Sequence, residues 1–159
     1  MTQRLDHLQQ NPDLTNKLTQ LTFAVKKGAV EHSTLALIEI RASQINGCAF
    51  CLDMHIKEAT IRGERPLRLH HVAIWRESPL FSDRERAALA WTEALTRLGP
   101  EGISDAQYEA VIAHFSPAEL VDLTYMVMVI NAWNRASIAF RSVPGSADKA
   151  IGLDRAGLA

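Results

Sequence analysis

The stretch Leu35-Ala-Leu-Ile-Glu-Ile-Arg-Ala-Ser43 decides the fold, because its apolar residues fit two periods. Leu35, Leu37, Ile38 and Ile40 would suit a strand that alternates its faces, or one side of a buried helix. A strand needs a pairing partner, and no neighbouring run offers one. Helix punctuation surrounds the stretch instead, so it is read as helix. Downstream, Gln44-Ile-Asn-Gly47 reads as a break, and a second helix is expected from Cys48 to about Arg62, ended by Gly63.

The same punctuation recurs along the chain. Asn11-Pro12 caps a helix carrying Leu14, Leu18, Leu21 and Val25 at helical spacing. Ser82-Asp-Arg-Glu85 is a capping box opening Ala87 to Leu98, and Gly99-Pro100 closes that run. Ser104-Asp-Ala-Gln107 and Ser116-Pro-Ala-Glu119 repeat the signature. The last box opens a helix to about Phe140 whose middle, YMVMVI (Tyr125–Ile130), is apolar nearly all round and so should be buried. A short helix is expected over Leu67 to Arg76. The reading is an all-α single domain over residues 1–143, with about seven or eight helices and a loose extension or subunit-contact arm at 144–159.

Composition narrows the function. With 17 Lys and Arg against 18 Asp and Glu, the net charge of -1 lacks the basic footprint of a nucleic-acid binder. Apolar runs such as Tyr125–Ile130 fall far short of the roughly 20 residues that span a bilayer. The opening MTQRLDHLQQNPDL has no apolar core after its arginine, so a cytoplasmic location is expected. A chain of 159 residues can bury a sufficient core without disulfides or structural metal. Its two cysteines therefore call for another explanation.

They form Cys48-Ala-Phe-Cys51, and His55 follows one turn later on the same helix face. Gly47 and Asn46 make Cys48 an early residue of its helix, where free N–H groups and the positive end of the dipole favour a thiolate. His55 can exchange a thiol proton. Glu39 on the preceding helix is the first candidate partner for the imidazole, and Glu58 can reach it from the same helix. Zinc held by the CxxC pair, His55 and His70-His71 is a competing reading, but one CxxC in a chain with ample core is a weak zinc signal. Two inert core thiols are another. A thioredoxin-like host is disfavoured for want of strands.

Other residues carry less. Trp133, Asn134 and Arg135 read as packing or subunit contact, with lining of the thiol pocket as the alternative. Asn131 and Asn134 need polar partners. His7, His32 and His114 read as surface or capping residues, and His70-His71 as a surface pair. Arg84-Glu85-Arg86 reads as a solvated charge run, and Met54, Met126 and Met128 as core filler.

The stretch Leu35–Glu58, with IRASQINGCAFCLDMHIKE, resembles the core of the alkylhydroperoxidase D-like (carboxymuconolactone decarboxylase) family. The likeness continues through WRESPLFSDRERAALAWTEALTRL (Trp75–Leu98) and INAWNR (Ile130–Arg135). It implies a helical fold that assembles into trimers or hexamers, and reduction of hydroperoxides through the CxxC pair. It also implies Cys51 as the peroxide-reacting thiol, Cys48 as the resolving one and His55 in the proton relay. The helix-start argument favours Cys48 and the resemblance Cys51; Cys51 is preferred. The expected reductant is a small dithiol such as dihydrolipoamide, or a protein thiol, with no metal, flavin or haem required. One departure stands out: where the family's relay has a glutamate, twelve residues before the first cysteine, this chain has Ala36. Glu39, one turn later, is the expected substitute. A redox sensor whose disulfide state changes its assembly is the non-catalytic alternative.

Overall fold

The structure is a computed structural model and describes residues 2–158. Among these residues it holds nine α-helices, two short 3-10 segments and no strand. The all-α expectation holds. The helices are α1 (His7–Gln10), α2 (Pro12–Lys26), α3 (His32–Asn46), α4 (Ala49–Ile61), α5 (Pro66–His71), α6 (Asp83–Thr96), α7 (Asp105–Ile112), α8 (Pro117–Phe140) and α9 (Asp148–Ile151). The two single-turn helices, α1 and α9, were not expected, because four residues are too few to show a period.

Helix α3 is the axis of the molecule and packs against α4, α6 and α8. This resolves the ambiguous stretch. Leu35 and Ile38 enter one cluster with Val25, Trp91, Leu123 and Met126. Leu37 and Ile40 enter a second with Leu69, Val72, Trp75, Phe81 and Leu89. A helix apolar on two sides at once cannot show a clean amphipathic stripe, so its pattern mimics alternation.

All three capping boxes form, with Ser82, Ser104 and Ser116 each accepting from the N3 backbone while Glu85, Gln107 and Glu119 reach back. Asn11 Oδ1 accepts from Leu14 N at 3.2 Å, capping α2. The run expected as one helix over Leu67 to Arg76 is shorter. It ends as a 3-10 turn at Val72–Ile74, where Arg86 draws the carbonyls of Trp75, Arg76 and Ser78 onto its guanidinium.

Arg84-Glu85-Arg86 is not a solvated run. Glu85 pairs with Arg68 at 2.5 Å and Arg84 with Glu119 at 2.6 Å, so these charges tie α6 to α5 and α8. Met126 is core, but Met128 is 56% exposed on the outer side of α8. His7 is half-buried and stacks on Phe140, with ring centroids 5.2 Å apart, whereas His32 and His114 are exposed as expected.

The segment beyond residue 143 is docked rather than loose. Lys57 on α4, only 5% exposed, pairs with Asp53 at 2.9 Å and with Asp148 of α9 at 2.6 Å. Gly145 N–H donates to Asp53 at 3.1 Å, and Leu153 is buried. One ion pair to α4, one backbone hydrogen bond and one apolar anchor leave no periodic trace in sequence. At the centre of the bundle, Ile38→Ala should cost about 2–5 kcal/mol. A denaturant midpoint close to that of the parent would show that α3 is not the packing axis.

Candidate active site

The turn between α3 and α4 builds the site. Gln44, Ile45 and Asn46 complete α3 instead of breaking it, and the break is Gly47 alone, at φ 69°. That left-handed conformation suits glycine and reverses the chain within one residue. Cys48 then stands outside α4 as its N-cap, not inside as an early helical residue. Its sulfur accepts from the Cys51 N–H at 3.3 Å. Cys51 is thereby the residue in the first turn of α4, at the positive end of the helix.

Asparagines pin this turn to α8. Asn46 Nδ2 donates to Asn131 Oδ1 at 3.0 Å and to Asn134 Oδ1 at 2.8 Å. Asn134, fully buried, donates onward to Ser43 Oγ at 3.1 Å, and Ser43 donates to the Glu39 carbonyl at 2.7 Å. Asn131 donates to Thr96 and to the Val127 carbonyl. Asn134 therefore belongs to the site, and the packing reading of it is corrected. Trp133 is half-buried, borders the thiols and donates from Nε1 to Thr22 at 3.1 Å.

Both cysteines are free and almost completely buried, among Ala42, Ile130, Phe50 and Trp133. Their protonation is asymmetric. The hydrogen bond from the Cys48 thiol holds Cys51 down at about 6, against the opposing effect of burial. Ser137, Asn134 and the charge on His55 add to the lowering. The same hydrogen bond, together with burial, pushes Cys48 up. The two shifts run in opposite directions, so negative charge on the pair is favoured at Cys51.

His55 is 5% exposed, and its Nδ1 faces two carboxylates: Glu58 Oε2 at 3.4 Å and Glu39 Oε2 at 3.5 Å. Burial disfavours the imidazolium, but Glu39 and Glu58 outweigh it and raise His55 above its ordinary value. The hydrogen bond from His55 holds Glu58 at about 2, against burial. With Nδ1–H engaged by carboxylates, Nε2 is the position that gains and loses a proton. That atom is buried and has no hydrogen-bond partner among the described residues. Lys26 from α2 completes the group, 3.0 Å from Glu39 and 3.4 Å from Glu58.

The structure thus brings together Cys48, Cys51, His55 and Glu39, with Glu58 as the second acid. Ala36, at the family's glutamate position, lines a cleft beside Glu39 and Glu58, and the imidazole is reached from one turn further along α3. Sequence reasoning missed Lys26 and Ser137, which carry no motif, and took Asn46 only as part of the break before Cys48. For a metal, the trio whose donor atoms converge among the described residues is Glu39, His55 and Glu58, all within 4.8 Å. Lys26 already supplies the positive charge there, so the trio is poorly suited to a divalent cation. The two thiols and His70-His71 form no such group; His71 instead contacts Ser78 Oγ at 3.0 Å.

Fold and site together define an all-α protein with a buried dithiol at a helix start and a carboxylate-held histidine one turn on. The chain belongs to the carboxymuconolactone decarboxylase family, whose pattern it matches over residues 12–94. It is 35% identical over 139 residues to the uncharacterized protein YdfG of Bacillus subtilis strain 168, covering 87% of this chain and 95% of that one. The crystal structure of ATU0492 from Agrobacterium tumefaciens, a protein of unknown function considered a candidate antioxidant-defence protein AhpD, superposes with a TM-score of 0.86. It has 38% identity and covers 90% of this chain and 98% of that one. The alkylhydroperoxidase AhpD core structure from Ralstonia eutropha JMP134, an uncharacterized peroxidase-related protein, shares the fold at 21% identity and a TM-score of 0.78. The match covers 87% of this chain and 74% of that one.

The thiol asymmetry has a direct test. Iodoacetamide should alkylate Cys51 at a rate that follows a single ionisation near pH 6, falling about tenfold per unit below it. A midpoint near 8.5, that of an ordinary thiol, would refute the asymmetry.

Proposed function

We propose that the chain is a cytoplasmic thiol peroxidase that reduces alkyl hydroperoxides through Cys51 and Cys48. The observation that carries this reading is the buried Cys48–Cys51 pair at the start of α4 beside a carboxylate-held imidazole. A lowered thiol at the start of a helix is the nucleophilic form at neutral pH. A protonated His55 one turn away is an acid for the leaving group.

The Cys51 thiolate attacks the distal oxygen of ROOH. The O–O bond breaks, Cys51 becomes the sulfenic acid, and the departing alkoxide takes a proton from His55 to leave as ROH. Cys48 sulfur then attacks the Cys51 sulfur. The S–OH bond breaks, hydroxide leaves with the Cys48 proton as water, and the disulfide closes. An external dithiol, of the dihydrolipoamide type or on a protein, restores both thiols by exchange and carries away the oxidation as its own disulfide. The peroxide gains two electrons and the dithiol loses two, without metal, flavin or haem. The apolar surroundings, with Phe50, Ile130 and Trp133, support an alkyl hydroperoxide over hydrogen peroxide as substrate.

Peroxide consumption with a dithiol as reductant, followed for the parent protein and for Cys51→Ser, Cys48→Ser and Glu39→Gln, tests the mechanism. Cys51→Ser should abolish turnover. Cys48→Ser should oxidise once, trap with a sulfenic-acid reagent and stop. Glu39→Gln should slow the first step by about 10- to 100-fold, within the range of proton-transfer catalysis. A parent protein that turns over no hydroperoxide with any dithiol would leave a redox sensor as the better reading. One equivalent of zinc per chain in untagged protein would exclude both.

We further propose a homo-oligomer, trimeric or hexameric. Val121, Tyr125 and Met128 recur at helical spacing on the outer side of α8 and are 54%, 44% and 56% exposed. An apolar stripe of this kind on a central helix fits a subunit contact. Light scattering should give a multiple of the 17.6 kDa chain mass. Tyr125→Glu should lower it, and a monomeric parent would sink the idea.

A further inference from the structure

The cluster around His55 contains one more charge than a histidine relay requires, and that charge comes from a helix outside the motif. Lys26 is the last residue of α2. Its ammonium reaches Glu39 at 3.0 Å and Glu58 at 3.4 Å, the two acids that face Nδ1 of His55. Side-chain exposure is 15% for Lys26 and 4% for Glu39, so their pairing is largely shielded from water.

We propose that Lys26 is a positioning residue for the His55 relay, holding Glu39 and Glu58 as an ionised pair so that the imidazole carries the exchangeable proton. The proposal deepens the peroxidase reading and rests on it.

The argument is one of charge balance. Among Lys26, His55 and the two acids, with His55 protonated, two cations and two carboxylates sum to zero; the Cys51 thiolate is common to the states compared and stays outside this count. When His55 gives up its proton the cluster carries one net negative charge, which Lys26 and water at the cleft mouth can bear. Without Lys26, two carboxylates would confront a single imidazole, and one buried negative charge would lack a partner with the histidine charged and two with it neutral. An unpaired buried charge is costly, and such a group takes up a proton instead. The added proton would be held on His55, between the two acids, and lock it as imidazolium. That stops the imidazole from cycling near neutral pH. Lys26 itself is raised above its ordinary value, because Glu39 and Glu58 outweigh its burial, and it keeps its charge throughout.

The groups facing this cluster are few. Lys26 comes from α2, His32 and Glu39 from α3, and Cys51, His55, Glu58 and Arg62 from α4, Cys51 acting on the imidazole through its charge. Arg62 approaches Glu58 from the solvent side at 3.7 Å and is half exposed, and His32 is exposed at the cleft. Leu35, Ala36 and Ala59 supply the apolar wall. The cleft has a volume of about 10 Å³, room for roughly one water.

The test uses the full chain as Lys26→Met and Lys26→Arg, with the His55 ring titrated by NMR and peroxide kcat/KM measured against pH. Lys26→Met should raise the His55 midpoint by about one unit, a tenfold shift in its proton equilibrium, and move the kcat/KM profile with it. Lys26→Arg should return both towards the parent. A folded Lys26→Met that titrates at the parent's midpoint would overturn the proposal, since a merely structural lysine would leave the titration unmoved. Should Lys26→Met not fold, Glu58→Gln and the double variant Lys26→Met/Glu58→Gln make the same comparison with the charge rebalanced. The double variant should titrate about tenfold higher than Glu58→Gln alone, and equal midpoints would overturn the proposal. Because the NMR readout needs no turnover, a protein that reduces no peroxide yet shows the shift separates failure of the peroxidase reading from failure of this one.

Discussion

The reversal of the chain at Gly47 governs the arrangement of everything around it. A single residue in the left-handed region ends α3 and lets Cys48 cap α4 from outside. The cap places Cys48 sulfur on the Cys51 N–H, which brings the two thiols together and makes them unequal. Asn46, immediately before the glycine, fastens the turn to α8 through two asparagine side chains. A bulkier residue at position 47 would strain this backbone. Loss of Asn46 would leave buried amides on α8 short of partners.

The site's polar groups are organised in two layers on opposite sides of α4's first turns. On one side the asparagine and serine network of α3 and α8 surrounds the sulfur atoms. On the other, Lys26, Glu39 and Glu58 enclose the imidazole. Neither layer leaves a bare charge in the interior, which is the condition for burying so many ionisable groups in a small bundle. The dithiol gains its asymmetry from proximity and a helix terminus, and His55 gains its proton affinity from carboxylates that outweigh its burial.

Much of this was readable one residue at a time. Three capping boxes predicted three helix starts, and spacing alone put Cys51 and His55 on one face. Glu39 and Glu58 were both named as partners for the imidazole, and both reach its Nδ1. The errors share a cause. Cys48 reads as helical in the sequence because the chain shows a glycine break but not which residue becomes the cap. Arg84-Glu85-Arg86 reads as solvated because the partners Arg68 and Glu119 lie 17 and 35 positions away. The segment after residue 143 looked loose because its anchor, Lys57, stands on α4.

By itself, then, the sequence determined the local facts: helix starts from side chains that satisfy neighbouring N–H groups, a face shared by residues three and four apart, and an axis helix from a run apolar on several sides. Those are short-range consequences of backbone geometry. Only the tertiary structure decided which distant charges meet. It brought Lys26 to the two acids, Asn134 to the serine beneath the thiols and Asp148 to Lys57. Such contacts depend on how helices cross, and a crossing leaves no period in the chain.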